Sequence, residues 1–263
     1  MKDKHVLITG ASGGIGLETV KLFLSEGAKV TAHYNTTTPP LEGPKGYLFT
    51  AQADVREEEQ VERMFKQATD QFGRVDVLVA NAGIWPTTAV PIHELSYDQW
   101  RDVLDTNLTG YFLCLKHFFR NLVQFPQEMA SVVFVGSTAG VFGEAGHADY
   151  ASTKSAVVGL MLSAKNEIVQ LARKGRVNTV HPGWTVTPMA EEALKDEKMV
   201  TKTLQTIALR KVAEAEDIGK AILALASDEL SGHISGQAIV VSGGMEGRLL
   251  FGPTEIDVSR ARG

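Results

Sequence analysis

In the segment DYASTKSAVVGLML, residues 149–162, a phenol and an ammonium stand four positions apart, at Tyr150 and Lys154. On a helix that spacing puts both side chains on one face, close enough to touch. A phenol titrates near pH 10 in water, and a neighbouring cation lowers that value. An acid exchanges protons best when its pKa approaches the working pH. The chemistry on offer is protonation of a carbonyl oxygen while hydride reaches its carbon. A tyrosine and a lysine one turn apart also suit an ordinary exposed helix face. Yet of the five tyrosines only Tyr150 is followed by lysine at this distance, and the run from Val157 onward is apolar enough to be buried.

A second polar side chain precedes the pair. Ser137 closes the run SVVFVGS, and open α/β sheets place their sites at the C-terminal ends of such strands. Its hydroxyl can donate to a substrate oxygen as charge develops there, or simply cap a turn. Asn107 follows Trp100 and Leu104 and precedes Tyr111 in steps of three and four, on the apolar stripe of a helix over 100–122. A buried amide needs partners, so it belongs to a packing feature or a polar network.

The elements that must hold these groups are legible as alternation. Val6-Leu7-Ile8, Val30-Thr31-Ala32, Tyr47-Leu48-Phe49, Val77-Leu78-Val79, Val132–Val135, Val177–Val180 and Ile239-Val240-Val241 read as strands. Continuous apolarity suggests that both faces are covered. Helical patterns lie between them, as in Val61, Met64, Phe65, Ala68 and Phe72 after the acidic run Glu57-Glu58-Glu59. The expectation is a single α/β domain over 1–263: a Rossmann-type, doubly wound parallel sheet of about seven strands with helices on both faces. The loop NTTTPPLEGPKG after the second strand occupies a place where a helix would normally fit, so that crossover is expected to be abbreviated.

Composition bounds the function. With 263 residues, 44% hydrophobic and 22% charged, the chain can bury one large core. A net charge of -5 offers no basic surface for nucleic acid. The single cysteine, Cys114, fits a reducing compartment. No apolar run reaches membrane-spanning length, and no signal peptide precedes the first strand. A cytoplasmic protein without membrane or nucleic-acid partners is expected. No His, Cys or carboxylate spacing argues for a metal.

The turn after the first strand, TGASGGIGLETV, carries Gly10, Gly14 and Gly16 and leads into a helix. Glycines let a ligand approach the main chain, and the helix N-terminus offers free N–H groups to a pyrophosphate. Strand, turn and helix in that order point to a dinucleotide.

Taken with the rest of the chain, this turn resembles that of the short-chain dehydrogenase/reductase family. The matching motifs run in order from Thr9–Gly16 through Asn81-Ala82-Gly83, Ser137, Tyr150–Lys154 and Pro182-Gly183 to Gly236-Gln237 and Gly243-Gly244. The likeness covers residues 5–244 and includes features of the 3-oxoacyl-carrier-protein reductase branch. It implies a catalytic set of Asn107, Ser137, Tyr150 and Lys154, with Asn107 relaying protons between the lysine and solvent. It implies nucleotide contacts at Gly10, Ser12, Gly14, Ile15, Gly16, Asp54, Val55, Asn81, Ala82, Gly83, Tyr150, Lys154, Pro182, Gly183, Thr185 and Thr187. Two positions depart from the pattern: Thr185 stands where Val or Ile is frequent, and Ser242 where the last strand often has Asp.

The same likeness makes residues 184–213 a substrate lid and Phe142, His147 and Trp184 candidate pocket walls. Residues 245–263 form a tail with no obvious place in the sheet. Strand two ends in Tyr34, Asn35 and Thr36 rather than an acid. An acid there would bind the ribose hydroxyls of NAD(H) and repel a 2′-phosphate, so NADP(H) is preferred, with NAD(H) tolerated. Apolar surface on the helices over 100–122 and 157–171 suggests self-association, and relatives commonly form homotetramers. Three functions are compatible: a carbonyl reductase or alcohol dehydrogenase, a 3-oxoacyl-carrier-protein reductase, or a dinucleotide sensor without turnover.

Overall fold

All seven apolar runs become strands of one parallel sheet in the computed structural model, which describes residues 1–260. The strands are β1 (His5–Ile8), β2 (Lys29–Tyr34), β3 (Leu48–Gln52), β4 (Val77–Ala80), β5 (Met129–Val135), β6 (Lys174–Pro182) and, last in the chain, β9 (Ala238–Val241). A two-stranded ribbon, β7 (Thr185–Val186) with β8 (Ala213–Glu214), lies apart from it. The helices are α1 (Gly14–Ser25), α2 (Glu58–Phe72), α3 (Tyr97–Leu104), α4 (Gly110–Gln124), α5 (Ala139–Phe142), α6 (Ala148–Leu171), α7 (Glu197–Leu204), α8 (Ala215–Ala226) and α9 (Asp228–Ser231).

The sheet order is β3-β2-β1-β4-β5-β6-β9. Val6 of β1 pairs with Val30 on one side and Val77 on the other. The chain therefore winds outward from β1 to β3, then returns to wind the other way from β4. The crevice where the direction reverses, at the C-terminal ends of β1 and β4, is where open α/β sheets bind ligands.

Both faces of the sheet are covered, which explains the unbroken apolarity of its central strands. One face packs Val20 and Phe23 of α1 and Ile218 and Ile222 of α8 against Val6, Ile8, Val77 and Val79. The other packs α2, α4 and α6 against Leu7, Leu78, Val132 and Phe134, with Met64, Phe118 and Met161 buried between. Among the described residues, the connection from β2 to β3 is a loop without a helix. Leu41 of this loop packs, like Leu24 and Leu48, against the core on the α1 face of the sheet.

Two local departures from the sequence reading matter for the site. The expected helix over 100–122 is interrupted between α3 and α4 by a π-helical turn at Asp105–Thr109, with Asn107 at its centre. Such wide turns often mark functional positions. The segment 184–213, expected to act as a lid, is only partly helical: two 3-10 turns and one α-helix, α7, hang from the β7–β8 ribbon. The described part of the tail is not free. Ile256 and Val258 pack beside Val200 and Leu204 of α7, the Leu250 amide donates to the Gln205 carbonyl, and Arg210 stacks 4.1 Å over the Phe251 ring. Residues 261–263 of the tail lie outside the described residues. Among the described residues no helix is long and apolar enough to cross a membrane.

Candidate active site

Ser137 and Tyr150 meet at the C-terminal end of β5. Ser137 leaves that strand with its Oγ accepting the Ala139 amide, as a turn serine does. Its side chain also hydrogen-bonds the Tyr150 phenol, stabilising the phenolate. Behind it, the buried His181 ring touches the Ser137 backbone through Nδ1 and Thr179 Oγ1 through Nε2. A Cβ at Gly136 would come 2.5 Å from His181 Nδ1, so glycine is what lets this ring sit under the serine. His181 is a positioning residue.

Lys154 lies one turn beyond Tyr150 on α6, with its Nζ 5.7 Å from the tyrosine ring centre. The ammonium donates to the Val135 carbonyl at 2.9 Å and to the Tyr111 hydroxyl at 3.2 Å. Burial pushes Lys154 down to about 7 and the Tyr150 phenol up to about 12, the latter against the Ser137 hydrogen bond and with the help of the Glu144 charge. The expected lowering of the phenol by its lysine is thus corrected. Removal from water outweighs the neighbouring charge, and Lys154, itself driven toward neutrality, has less charge to exert.

Asn107 is fully buried and satisfied. Its Oδ1 accepts the Ile84 amide at 2.8 Å, while Nδ2 donates to the Ile84 carbonyl at 2.9 Å and to Thr153 Oγ1. The amide therefore fixes the chain after Asn81-Ala82-Gly83 against α6. Gly83 sits between the two polar groups: a Cβ there would lie 3.0 Å from Asn107 Oδ1 and 3.4 Å from Lys154 Nζ.

The glycine-rich turn is built for close approach. Asn81 Nδ2 donates to the carbonyls of Thr9 and Gly10, and the amides of Asn81 and Ala82 donate to Thr9 Oγ1, which ties β1 to β4. Gly10 holds φ 69°, and a Cβ at Gly16 would run into the Gly10 carbonyl. The Gly10 amide donates to His33 Nδ1, whose Nε2 then donates to Ala53. Sequence reasoning missed His33, since nothing in the pattern of β2 sets it apart. The N-terminus of α1 has no side-chain cap and no acid in its first turn, whereas Ser96 and Asp196 cap α3 and α7. Free N–H groups without a resident anion fit a pyrophosphate.

The other expected nucleotide positions surround this turn. Ser12 Oγ donates to the Thr37 carbonyl; Tyr34 ends β2, half-buried, and Asn35 and Thr36 follow in the exposed loop that leaves the strand. Asp54 is held by a bidentate pair with Arg56, which also reaches Asp102 at 2.7 Å. Val55 is buried against Gly110. Across the crevice, Gly183 packs on Ser242, the Thr185 hydroxyl donates to the Gly183 carbonyl, and Thr187 lies against Gly14.

One cavity of about 430 Å³ joins the two halves: its walls include Ile15, Asn81, Gly83, Ser137, Tyr150, Lys154, Pro182, Gly183, Thr185 and Thr187. Of the expected substrate walls, Phe142 and Trp184 line it. His147 does not; it is buried behind Trp85, stacked at 5.0 Å. Glu144 and Trp85, which the sequence did not single out, take its place in the wall. The segment 184–213 contributes Met189, Met199 and Lys202, and the tail contributes Met245. Among the described residues no cluster of His, Cys, Asp and Glu could hold a metal ion.

Comparison with known proteins agrees with this geometry. Residues 10–246 match the family described as enoyl-(acyl carrier protein) reductase. The chain is 36% identical over 251 residues to the 3-oxoacyl-[acyl-carrier-protein] reductase of Staphylococcus epidermidis, covering 92% of this chain and 99% of that one. A short-chain dehydrogenase/reductase of glucose/ribitol dehydrogenase type from Brucella melitensis superposes with a TM-score of 0.82 at 30% identity, covering 93% and 97% of the two chains. Levodione reductase superposes with a TM-score of 0.85 at 28% identity, covering 93% and 98%. The chain belongs to the short-chain dehydrogenase/reductase family of oxidoreductases.

Proposed function

We propose that the protein transfers hydride between a nicotinamide dinucleotide, with NADP(H) preferred, and a carbonyl or secondary alcohol. The observation that carries this reading is one cavity whose wall joins Ser137, Tyr150 and Lys154 to Ile15 of the glycine-rich turn. When bound, the dinucleotide supplies or accepts the hydride at the substrate carbon. In reduction, Tyr150 Oη gives its proton to the carbonyl oxygen, which Ser137 Oγ orients by hydrogen bonding. A high phenol pKa keeps Tyr150 protonated until charge develops on that oxygen, and the rise in negative charge then draws the proton across. Lys154, held by Val135 and Tyr111, stands ready to restore the tyrosine proton, and Asn107 completes the route behind it. In oxidation each step runs in reverse.

The preference for NADP(H) rests on the end of β2, where Tyr34, Asn35 and Thr36 offer no carboxylate. Arg56 is engaged by Asp54 and Asp102, so the exposed loop, with Lys45, is the remaining source of positive charge for a 2′-phosphate. The proposed assembly is a homotetramer. Phe112 and Val123 on α4 and Leu162 and Val169 on α6 are 44–63% exposed, and β9 leaves Ile239 and Val240 uncovered on an edge strand. A buried, free Cys114 suits a cytoplasmic setting.

A second reading, reduction of 3-oxoacyl groups on a carrier protein, is favoured by the 36% identical relative. A sensor without turnover is disfavoured by the intact set of Asn107, Ser137, Tyr150 and Lys154. Incubating the protein with NADPH or NADH and a panel of ketones, ketoesters, ketosteroids and sugars, while following absorbance of the reduced nicotinamide, tests the reading. Turnover of at least one carbonyl is expected. Dinucleotide binding without turnover of any would favour the sensor.

A further inference from the structure

The wall of the cavity beside Tyr150 holds a carboxylate that the proton chemistry does not use. Glu144 lies in the segment between Ser137 and Tyr150 and lines the cavity with Trp85 and Phe142. Its side chain is 30% exposed, and its charge is close enough to push the Tyr150 phenol upward. Two neighbours hold it. The Trp85 side chain hydrogen-bonds the carboxylate, and His147 Nδ1 stands 3.5 Å from Oε1. His147 is only 6% exposed, is stacked on Trp85, and neither of its ring nitrogens completes a hydrogen bond.

This arrangement costs stability unless something uses it. A carboxylate offers about four lone-pair sites, and Trp85 takes one. Burial raises the Glu144 pKa, which marks the penalty of keeping the charge out of water. An apolar acyl chain or ring edge laid against it would strip its remaining water and return no hydrogen bond, leaving the acceptor unpaired. A hydroxyl in the same place donates to the free oxygen and relieves that cost.

Resting on the proposed carbonyl reduction, we propose that Glu144 sets substrate choice: it accepts a hydrogen bond from a hydroxyl on the carbon next to the reacting carbonyl, and so selects hydroxyketones and vicinal diols over their deoxy analogues. Trp85 and His147 are the positioning residues that hold the carboxylate in the wall. A site built to bond a hydroxyl rejects the analogue without it strongly, because its own acceptor is left unpaired. The opposite wall of Phe142, Trp184 and Met245 is apolar and covers the remainder of such a ring or chain.

The test compares 2-hydroxycyclohexanone with cyclohexanone as substrates under NADPH, for wild type, Glu144→Leu and Glu144→Gln. The readout is the ratio of the two kcat/KM values in each protein. The ratio is expected to fall at least tenfold in Glu144→Leu, with part of it retained in Glu144→Gln, which keeps an acceptor oxygen. A ratio within twofold of wild type in Glu144→Leu overturns the proposal. Calorimetric titration of the NADP⁺-loaded proteins with trans-1,2-cyclohexanediol and cyclohexanol gives a reading that needs no turnover. A diol advantage present in wild type and lost in Glu144→Leu supports the proposal, and equal binding of the two alcohols by wild type overturns it. A diol advantage without hydride transfer to any carbonyl would count against the oxidoreductase reading while leaving the subsite in place.

Discussion

The Lys154 ammonium lies 5.7 Å from the centre of the Tyr150 ring, yet it spends its hydrogen bonds on the Val135 carbonyl and the Tyr111 hydroxyl. The Tyr111 hydroxyl itself donates to Val135 at 2.9 Å. A triangle of strand carbonyl, buried phenol and ammonium therefore anchors the lysine from below, and leaves the Tyr150 hydroxyl to Ser137 and the cavity. This division of partners separates the group that donates the proton from the groups that hold its supply.

Removing the Tyr150 hydroxyl deletes the proton donor and one hydrogen bond while keeping the ring. Tyr150→Phe is expected to fold and to bind dinucleotide as wild type does, and to lose about 10²–10⁴-fold in kcat, the usual worth of a general acid. Steady-state kinetics on any proven substrate, with dinucleotide affinity measured by fluorescence, checks this. Near-wild-type turnover would reject the role of Tyr150.

Lys154 carries a stability consequence with a definite sign. Its folded-state value of about 7 lies below the unfolded 10.5, so the unfolded chain binds the extra proton between those values. Stability therefore rises with pH across that window, and the full penalty of burying the charge is present below pH 7. Lys154→Met removes the charge and keeps most of the volume, and Val135 retains Tyr111 as a donor. The variant is expected to melt higher than wild type at pH 6, by the equivalent of a few kcal/mol at most once lost hydrogen bonds are set against the gain. The difference should shrink by pH 9, and turnover should be lost at both. Thermal melts at the two pH values decide it; equal Tm gains at both would remove the protonation argument.

Cofactor choice is expected to turn on one position. A carboxylate at the end of β2 would accept the ribose hydroxyls and repel a 2′-phosphate. Wild type should show the higher kcat/KM with NADPH, and Tyr34→Asp should move the NADPH/NADH ratio toward NADH by at least tenfold. A wild-type preference for NADH would refute the assignment.

Assembly has a similarly direct check. Light scattering at micromolar concentration is expected to give the mass of four chains. Leu162→Glu with Val169→Glu changes only exposed positions of α6, so the fold should survive while the mass falls to that of a smaller oligomer. A monomeric wild type would reject the tetramer.

Much of this was written in the one-dimensional pattern. Seven apolar runs become seven parallel strands, and the central ones are the plainest because a strand covered on both faces must be apolar throughout, a signal that composition alone carries. Thr9–Gly16, Asn81–Gly83, Ser137 and Tyr150–Lys154 announced the family because each motif is a short stretch whose backbone demands fix its residues. The missing helix after β2 was visible in the prolines and glycines of its loop.

Other features depend on groups far apart in the chain. Tyr111 read as one more apolar position on a helix, and only the fold brings its hydroxyl to Lys154, 43 residues on. The π-helical turn at Asn107 accompanies a buried amide satisfied by Ile84, a contact that no local periodicity encodes. His147 stood at a helix entry like a pocket residue, but stacking on Trp85 turned it inward and left Glu144 at the surface of the cavity. The protonation of the central pair was decided the same way. From sequence, charge proximity argued for a lowered phenol; in the folded protein, desolvation of both groups wins, because burial is a property of everything packed around a side chain and not of the residues beside it in the chain.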